Sequence, residues 1–237
     1  MEKGKLFIIS TPIGNLGDIT YRAVKTLKEV DIIAAEDTRR TRKLLNHYDI
    51  QKKIISYHDH NKISVTNKLL NLLMANQNVG LVSDAGTPCI SDPGFYLVRK
   101  TIESQIPLVS IPGSSAVLAS LIISGLPTDR FVFEGFLPSG KGKRGKKLKE
   151  LSLEPRTLIF FESPHRISRT LEEILSIFGD RKVIIAREMT KMYEEITRAQ
   201  LRCIDLDKFK KIKGEITLIV EGRHKKLISA LKGNPDN

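Results

Sequence analysis

A chain of 237 residues, 41% hydrophobic and 28% charged, is long enough to bury one large or two modest cores, and its composition excludes the disordered and fibrous classes. Its formal net charge of +12, from 39 Lys and Arg against 27 Asp and Glu, suits a polyanionic partner, with nucleic acid ahead of an anionic membrane. The two cysteines, Cys89 and Cys203, make neither a disulfide framework nor a CxxC zinc pair. The apolar run in "MEKGKLFIIS" is shorter than the apolar region of a signal peptide, and no window reaches the roughly eighteen apolar residues of a membrane span. A soluble cytoplasmic protein is therefore expected.

In chain order, apolar β-rich runs at residues 6–10, 31–35, 54–57, 79–83 and 108–111 alternate with helix-period segments at 19–30, 38–47, 65–75, 95–104 and 115–124. That alternation predicts βαβ units around a mostly parallel sheet. Asp18 stands as a possible N-cap of the first helix. The segment "SSAVLASLIIS" is apolar on nearly every face and should be buried. "GLPTDRF" then breaks the rhythm with Gly and Pro, which predicts an α/β domain over 1–124, a linker at 125–129, and a second α/β domain over 130–222. A basic tail follows at 223–237. Strands are expected in the second half at 131–137, 157–162, 183–188 and 215–220, with an amphipathic helix in "PHRISRTLEEILSIFG" between Pro164 and Gly179.

Two glycine patterns in the second half are weak. "GFLPSGKG" lacks the Ser or Thr that a P-loop needs for magnesium, because Gly142 stands there. "GKGKRG" fits G-x-G-x-x-G literally, with Glu162 in reach as an acidic ribose partner, yet "KGKRGKKLK" carries six positive charges and no negative one. A mobile basic loop touching RNA phosphates suits that segment better than a tight nucleotide turn. "HDH" at 58–60 has no third metal ligand in view, and no GxSxG elbow marks a covalent hydrolase. No metal site is expected.

Three Pro/Gly/Ser-rich loops follow first-half strands in the same sense: "STPIGNLGD", "SDAGTPCISDPG" and "PGSSA". Loops after the C-termini of parallel strands gather on one edge, where open α/β sheets bind ligands. Gly removes bulk and Pro fixes φ, so such loops bring main-chain groups to a ligand in preset geometry. Asp84 offers an anion for an ammonium or a ribose hydroxyl, and Ser115 and Ala116 offer helix N-terminal amides for a carboxylate. S-adenosylmethionine would use all of these.

Those loops, together with "AEDTRRTRKLL", "SYHDHN", "FFESPHR", "AREMTK" and "GEITLIVEG", resemble the tetrapyrrole methylase superfamily, and within it the bacterial 16S rRNA cytidine-2′-O-methyltransferases. The likeness runs from about residue 4 to residue 222 in order. It implies two α/β domains with S-adenosyl-L-methionine in the cleft between them, distinct from the GxGxxG Rossmann methyltransferases. It also implies a homodimer and, as substrate, 16S rRNA in the small ribosomal subunit, methylated on a cytidine ribose at the decoding centre. The cofactor contacts it implies fall on Pro12, Ile13, Asp84, Ala85, Gly86, Ser115 and Ala116, then on Phe161, Glu162, Ala186 and Arg187. Many relatives carry a further C-terminal module where this chain has only "RHKKLISALKGNPDN".

Methyl transfer from a sulfonium needs neither metal nor covalent intermediate, but a ribose hydroxyl is a poor nucleophile and gains from a general base. The candidates are Glu188, Lys191 made neutral by burial, Glu36 or Asp37, and His165. Arg39, Arg40, Arg42 and Lys43, with Lys141, Lys143 and Arg144, are the candidate RNA-backbone contacts. Arg39 and Lys43 share a helix face while Arg40 lies off it. Two competing readings are a superfamily enzyme acting on a tetrapyrrole or a protein side chain, and a non-catalytic RNA-binding assembly factor that retains the fold.

Overall fold

The computed structural model describes residues 2–209 and 211–223, so almost all of the basic tail lies outside the described residues. Contacts divide the chain into two compact units between Ala116 and Val117.

The first unit is a five-stranded parallel sheet. Its strands are β1 (Leu6–Ile9), β2 (Ile32–Ala35), β3 (Lys53–Ser56), β4 (Val79–Val82) and β5 (Leu108–Ile111), in the order β3-β2-β4-β1-β5. β2 and β4 are buried along their whole length, which is why "IIAA" and "VGLV" read as continuous apolar runs rather than alternating ones. Both faces are covered. α1 (Tyr21–Glu29) and α2 (Thr38–His47) pack Leu27 and Leu45 with Ile9, Ile33 and Val82, while α3 (Lys62–Met74) and α4 (Gly94–Glu103) pack Leu69, Leu73 and Leu97 with Ala34, Val79 and Leu81. The cap of α1 differs from the sequence expectation. Thr20 accepts from the Ala23 amide at 3.1 Å, while Asp18 ends a short 3-10 turn at Leu16–Asp18.

The second unit holds β6 (Phe131–Phe136), β7 (Thr157–Glu162), β8 (Lys182–Arg187), β9 (Glu195–Gln200) and β10 (Ile216–Val220), in the order β6-β7-β10-β8-β9. Only β6 and β7 run parallel among these; the other neighbours are antiparallel. α6 (Lys141–Leu151) and α7 (Ile167–Phe178) bury Leu148, Leu171 and Ile174 against Leu158, Phe160, Ile185 and Leu218. On the other face, Val117 and Leu121 of α5 (Ala116–Ile122) join Ile159, Ile184 and Ile219. The division therefore falls at the start of α5 rather than in the 125–129 loop. The apolar helix gives its buried side chains to the second core, and the Gly-Pro turn follows inside that unit. β9 was not legible in "EITRAQ" because its residues are exposed or half-buried at a sheet edge, so it shows no apolar run.

Two sequence expectations about the basic segment are corrected here. Residues 141–151 form α6 rather than a mobile loop. Arg144 is 1% exposed: it donates from Nε and Nη2 to the two Glu173 oxygens at 2.6 and 2.7 Å and from Nη1 to the Ser139 carbonyl at 2.9 Å. A guanidinium so enclosed anchors α6 to α7 and is withdrawn as an RNA contact. Lys141 and Lys143 remain exposed.

Candidate functional site

In the first unit the loops after β1, β4 and β5 do meet on one edge. Thr11 and Gly86 form an isolated antiparallel bridge. The Ser10 hydroxyl lies 3.1 Å from Thr87 Oγ1, which donates to the Ser114 carbonyl at 3.1 Å, and Ser114 Oγ donates to the Asp18 carbonyl at 3.2 Å. Gly86 is central. Its φ of +78° is left-handed, and a Cβ there would lie 3.2 Å from Ile13 Cγ2 and 3.7 Å from the Ser114 carbonyl oxygen. Five of the expected cofactor residues, Pro12, Ile13, Asp84, Ala85 and Gly86, thus lie on converging loops, with Ser115 and Ala116 just after Ser114.

A fourth loop joins them. The Asp37 amide donates to Asp84 Oδ1 at 2.8 Å and the Arg40 guanidinium lies 3.4 Å from Asp84 Oδ2. This holds the Asp84 carboxylate in place from the α2 side, so Arg40 serves the loop cluster as well as the surface. Arg39 instead chelates Asp37, with Nε and Nη2 at 3.2 and 2.9 Å from its two oxygens. Those bonds hold Asp37 far below the usual carboxylate range. Asp37 is therefore corrected from a candidate proton acceptor to the N-cap of α2. Arg42 and Lys43 are exposed on the same helix. At Glu36, burial and then the charges of Asp84 and Asp92 raise the pKa.

In the second unit, Phe161 packs edge-on to Phe133 with ring centroids 4.9 Å apart and lies 5.6 Å from Phe136. Glu162 is 2% exposed and its carboxylate is held by the Thr170 hydroxyl at 2.7 Å, the Ser163 amide at 2.7 Å and Arg166 at 2.6 Å. Its side chain faces the interior of its own unit, as does that of buried Ala186, so a ligand contact there runs through main chain. Arg187 donates to Glu195 at 2.8 Å and to the Lys213 carbonyl at 3.2 Å. His165 is exposed in the turn after β7.

Glu188 and Lys191 form one cluster with Glu215, a member that sequence reading missed. Lys191 Nζ donates to Glu188 Oε1 at 2.8 Å and to Glu215 Oε2 at 2.9 Å, and the Glu215 amide donates to Glu188 Oε1 at 2.9 Å. Gly214, at φ +101°, permits this: a Cβ there would lie 2.4 Å from Glu188 Cγ. Burial alone would lower the Lys191 pKa, but its bonds to two carboxylates outweigh that and raise it. The expectation of a neutral Lys191 is thereby overturned. For Glu188, burial raises the pKa while the Lys191 bond and the Glu215 amide bring it below the ordinary value. The signal for this cluster was the Gly-Glu pair at 214–215, whose tight turn returns next to the end of β8.

The loop edge of the first unit has one feature that suits a polar ligand. Thr11 is 4% exposed and its Oγ1 has no hydrogen-bond partner among the described residues, a cost that a ligand hydroxyl, amine or carboxylate would remove. Among the described residues no group of three or more His, Cys, Asp or Glu could hold a metal ion, and no helix is long and apolar enough to cross a membrane.

A model of the family described as Tetrapyrrole (Corrin/Porphyrin) Methylases matches residues 5–205. Among curated relatives, the ribosomal RNA small subunit methyltransferase I of Halalkalibacterium halodurans is 51% identical over 227 residues, covering 95% of this chain and 78% of the relative. The protein of the same name from Thermotoga maritima is 49% identical over 221 residues, covering 93% of this chain and 99% of the relative. Among solved structures, the methyltransferase CobJ superposes with a TM-score of 0.70 at 17% identity over 92% of this chain and 94% of its own. Uroporphyrin-III C-methyltransferase from Thermus thermophilus, complexed with S-adenosyl homocysteine, does so with a TM-score of 0.66 at 18% identity over 92% and 97%. At those identities the structural likeness is one of fold.

Proposed function

The chain belongs to the tetrapyrrole (corrin/porphyrin) methylases, and from that premise we propose that it transfers a methyl group from S-adenosyl-L-methionine to the ribose 2′-oxygen of a cytidine in 16S rRNA, at the decoding centre of the small subunit. It acts in this reading as a cytoplasmic homodimer. Relatives about half identical over nearly the whole chain and named for small-subunit rRNA methylation support the substrate, and the net charge of +12 suits it. The single observation that carries the cofactor assignment is the meeting of the β1, β4 and β5 loops at Gly86, beside the unpartnered Thr11 hydroxyl.

S-adenosylmethionine supplies an already activated methyl group. What the chain supplies is placement, which contributes about 7–11 kcal/mol in favourable cases. Thr11 and the loop amides bind polar groups of the cofactor, and Asp84, steadied by the Asp37 amide and Arg40, accepts from an ammonium or a ribose hydroxyl. Pro12, Ile13, Ala85, Gly86, Ser115 and Ala116 line the same site of the first unit; in the second unit, Phe161, Arg187 and the main chain at Glu162 and Ala186 are the further cofactor contacts of this reading. For the hydroxyl proton, Asp37 and Lys191 are committed to ion pairs and Glu188 is held as a carboxylate of low proton affinity. His165 is the acceptor to test. Lys141, Lys143, Arg42 and Lys43, all exposed, contact the RNA backbone.

Small subunits lacking the modification, incubated with the protein and methyl-labelled cofactor, should gain label on one cytidine ribose. Label in an added tetrapyrrole instead would reassign the substrate, and label in neither would leave a non-catalytic RNA-binding role.

A further inference from the structure

On the loop edge of the first unit, Glu36, Asp59, Lys62, Asp92, Phe95 and Tyr96 line a cavity of about 380 Å³. Glu36 directly follows β2, and Phe95 and Tyr96 lie in the first turn of α4. In a chain of net charge +12 this is a local reversal, with carboxylates outnumbering the one lysine. Such walls repel phosphate and favour a planar group that presents N–H donors and an aromatic face. Two of the acids are already engaged. Asp59 pairs with Lys62 at 2.9 Å, and Asp92 accepts from the Cys89 and Gly94 amides, both at 2.8 Å. Glu36 accepts from the Asp84 amide and differs in the charges around it: those that act on it most strongly, Asp84 and Asp92, are both negative. Phe95 leaves 65% of its surface exposed, an unburied ring on the rim of a polar cavity.

We propose that this cavity receives the base of the target nucleotide, with Glu36 accepting a hydrogen bond from the exocyclic amino group of cytosine and Phe95 stacking on the ring. The assignment rests on the rRNA cytidine reading above and adds to it the residues that choose the base. Cytosine presents an amino donor where uracil presents a carbonyl, so a carboxyl oxygen at that point attracts one and repels the other. Splayed single-stranded bases stacked on aromatic side chains are the usual mode of sequence-specific RNA recognition. Asp84 links this cavity to the proposed cofactor loops through the Asp37 amide.

The test uses subunits assembled with cytidine or uridine at the target position, and measures kcat and KM for wild type, Glu36→Gln and Phe95→Ala alongside cofactor affinity by calorimetry. Gln keeps an oxygen for the Asp84 amide but presents an NH2 group as well. The wild type should prefer the cytidine subunit, and Glu36→Gln should lower that preference about tenfold or more. Phe95→Ala should raise KM about fivefold or more with the cytidine preference unchanged, because stacking does not distinguish bases. Cofactor affinity should hold in both. If the wild type labels no subunit, the methyltransferase reading itself fails. If it labels cytidine and both variants keep the wild-type preference and KM, the base pocket is refuted. Should Glu36→Gln not fold, an unchanged KM for Phe95→Ala refutes it alone.

Discussion

Thr11 and Gly86 exchange both of their backbone hydrogen bonds, the Thr11 amide to the Gly86 carbonyl at 2.9 Å and the Gly86 amide to the Thr11 carbonyl at 3.0 Å. Seventy-five positions apart in sequence, they pair like one rung of a sheet outside any strand. The rung locks the loop after β1 to the loop after β4, and the left-handed φ of Gly86 makes it possible.

Gly86→Val adds a Cβ in a left-handed conformation, which costs about 1–2 kcal/mol, and presses on Ile13 Cγ2 from 3.2 Å. Urea unfolding should show a loss of that size. The larger effect should be on cofactor affinity, at least about tenfold, because the loop rung shifts. A variant that loses stability but keeps affinity would detach Gly86 from the site.

Arg144→Ala and the double variant of Lys141 and Lys143 to Ala should separate cleanly. The first removes the buried guanidinium that chelates Glu173, which keeps only Arg169 at 3.2 Å, and leaves the Ser139 carbonyl without its donor, at a cost of about 1–3 kcal/mol. The second should leave stability within about 0.5 kcal/mol. It should weaken RNA binding and flatten the salt dependence of log K by roughly 0.7–0.9 per lost phosphate contact. RNA binding measured across a salt series decides between them.

The legible part of the fold was the part in which local pattern and tertiary burial agree. The runs at β2 and β4 are apolar because both sheet faces are covered, and that covering belongs to the parallel topology expected from the βαβ rhythm. The three converging loops were readable from Gly and Pro because those residues answer to backbone demands such as the φ of Gly86. Arg144 was misread for the opposite reason. Its partner Glu173 is twenty-nine residues away on another helix, and a charge run carries no mark of which member turns inward. The same holds for Lys191, whose charge state depends on Glu215 across a turn.

Cys203 should react with a maleimide and Cys89 should not. Cys203 is exposed, whereas burial and then the Asp92 charge push the Cys89 thiol up to about 12, so almost none of it is thiolate at pH 7 to 8. Mass spectrometry after brief labelling of the native protein should find one adduct, removed by Cys203→Ser. A second adduct at equal rate would show that the loop after β4 opens.

Lys191→Met removes the cation shared by Glu188 and Glu215, which are both partly exposed. The loss should be roughly 1 kcal/mol at pH 7. Because the folded pKa of Glu188 is lowered, its contribution is present above the ordinary carboxylate value near about 4.3. It fades as pH falls through the lowered folded value. The gap between wild type and Lys191→Met should therefore close on acidification. Urea midpoints from pH 7 down to pH 3 measure it, and a gap that widens instead would mean that Lys191 acts elsewhere.

The central claim is that converging turns of the first unit hold a charged methyl donor. Calorimetric titration of S-adenosylmethionine into the wild type and into Asp84→Ala tests it most directly. The account predicts one site per chain in the wild type, and an affinity at least about tenfold weaker in Asp84→Ala at a temperature where circular dichroism shows both proteins folded, since one charge-assisted contact contributes on the order of 1.5–3 kcal/mol. Equal affinity in the two proteins, or no heat of binding in the wild type, would contradict it.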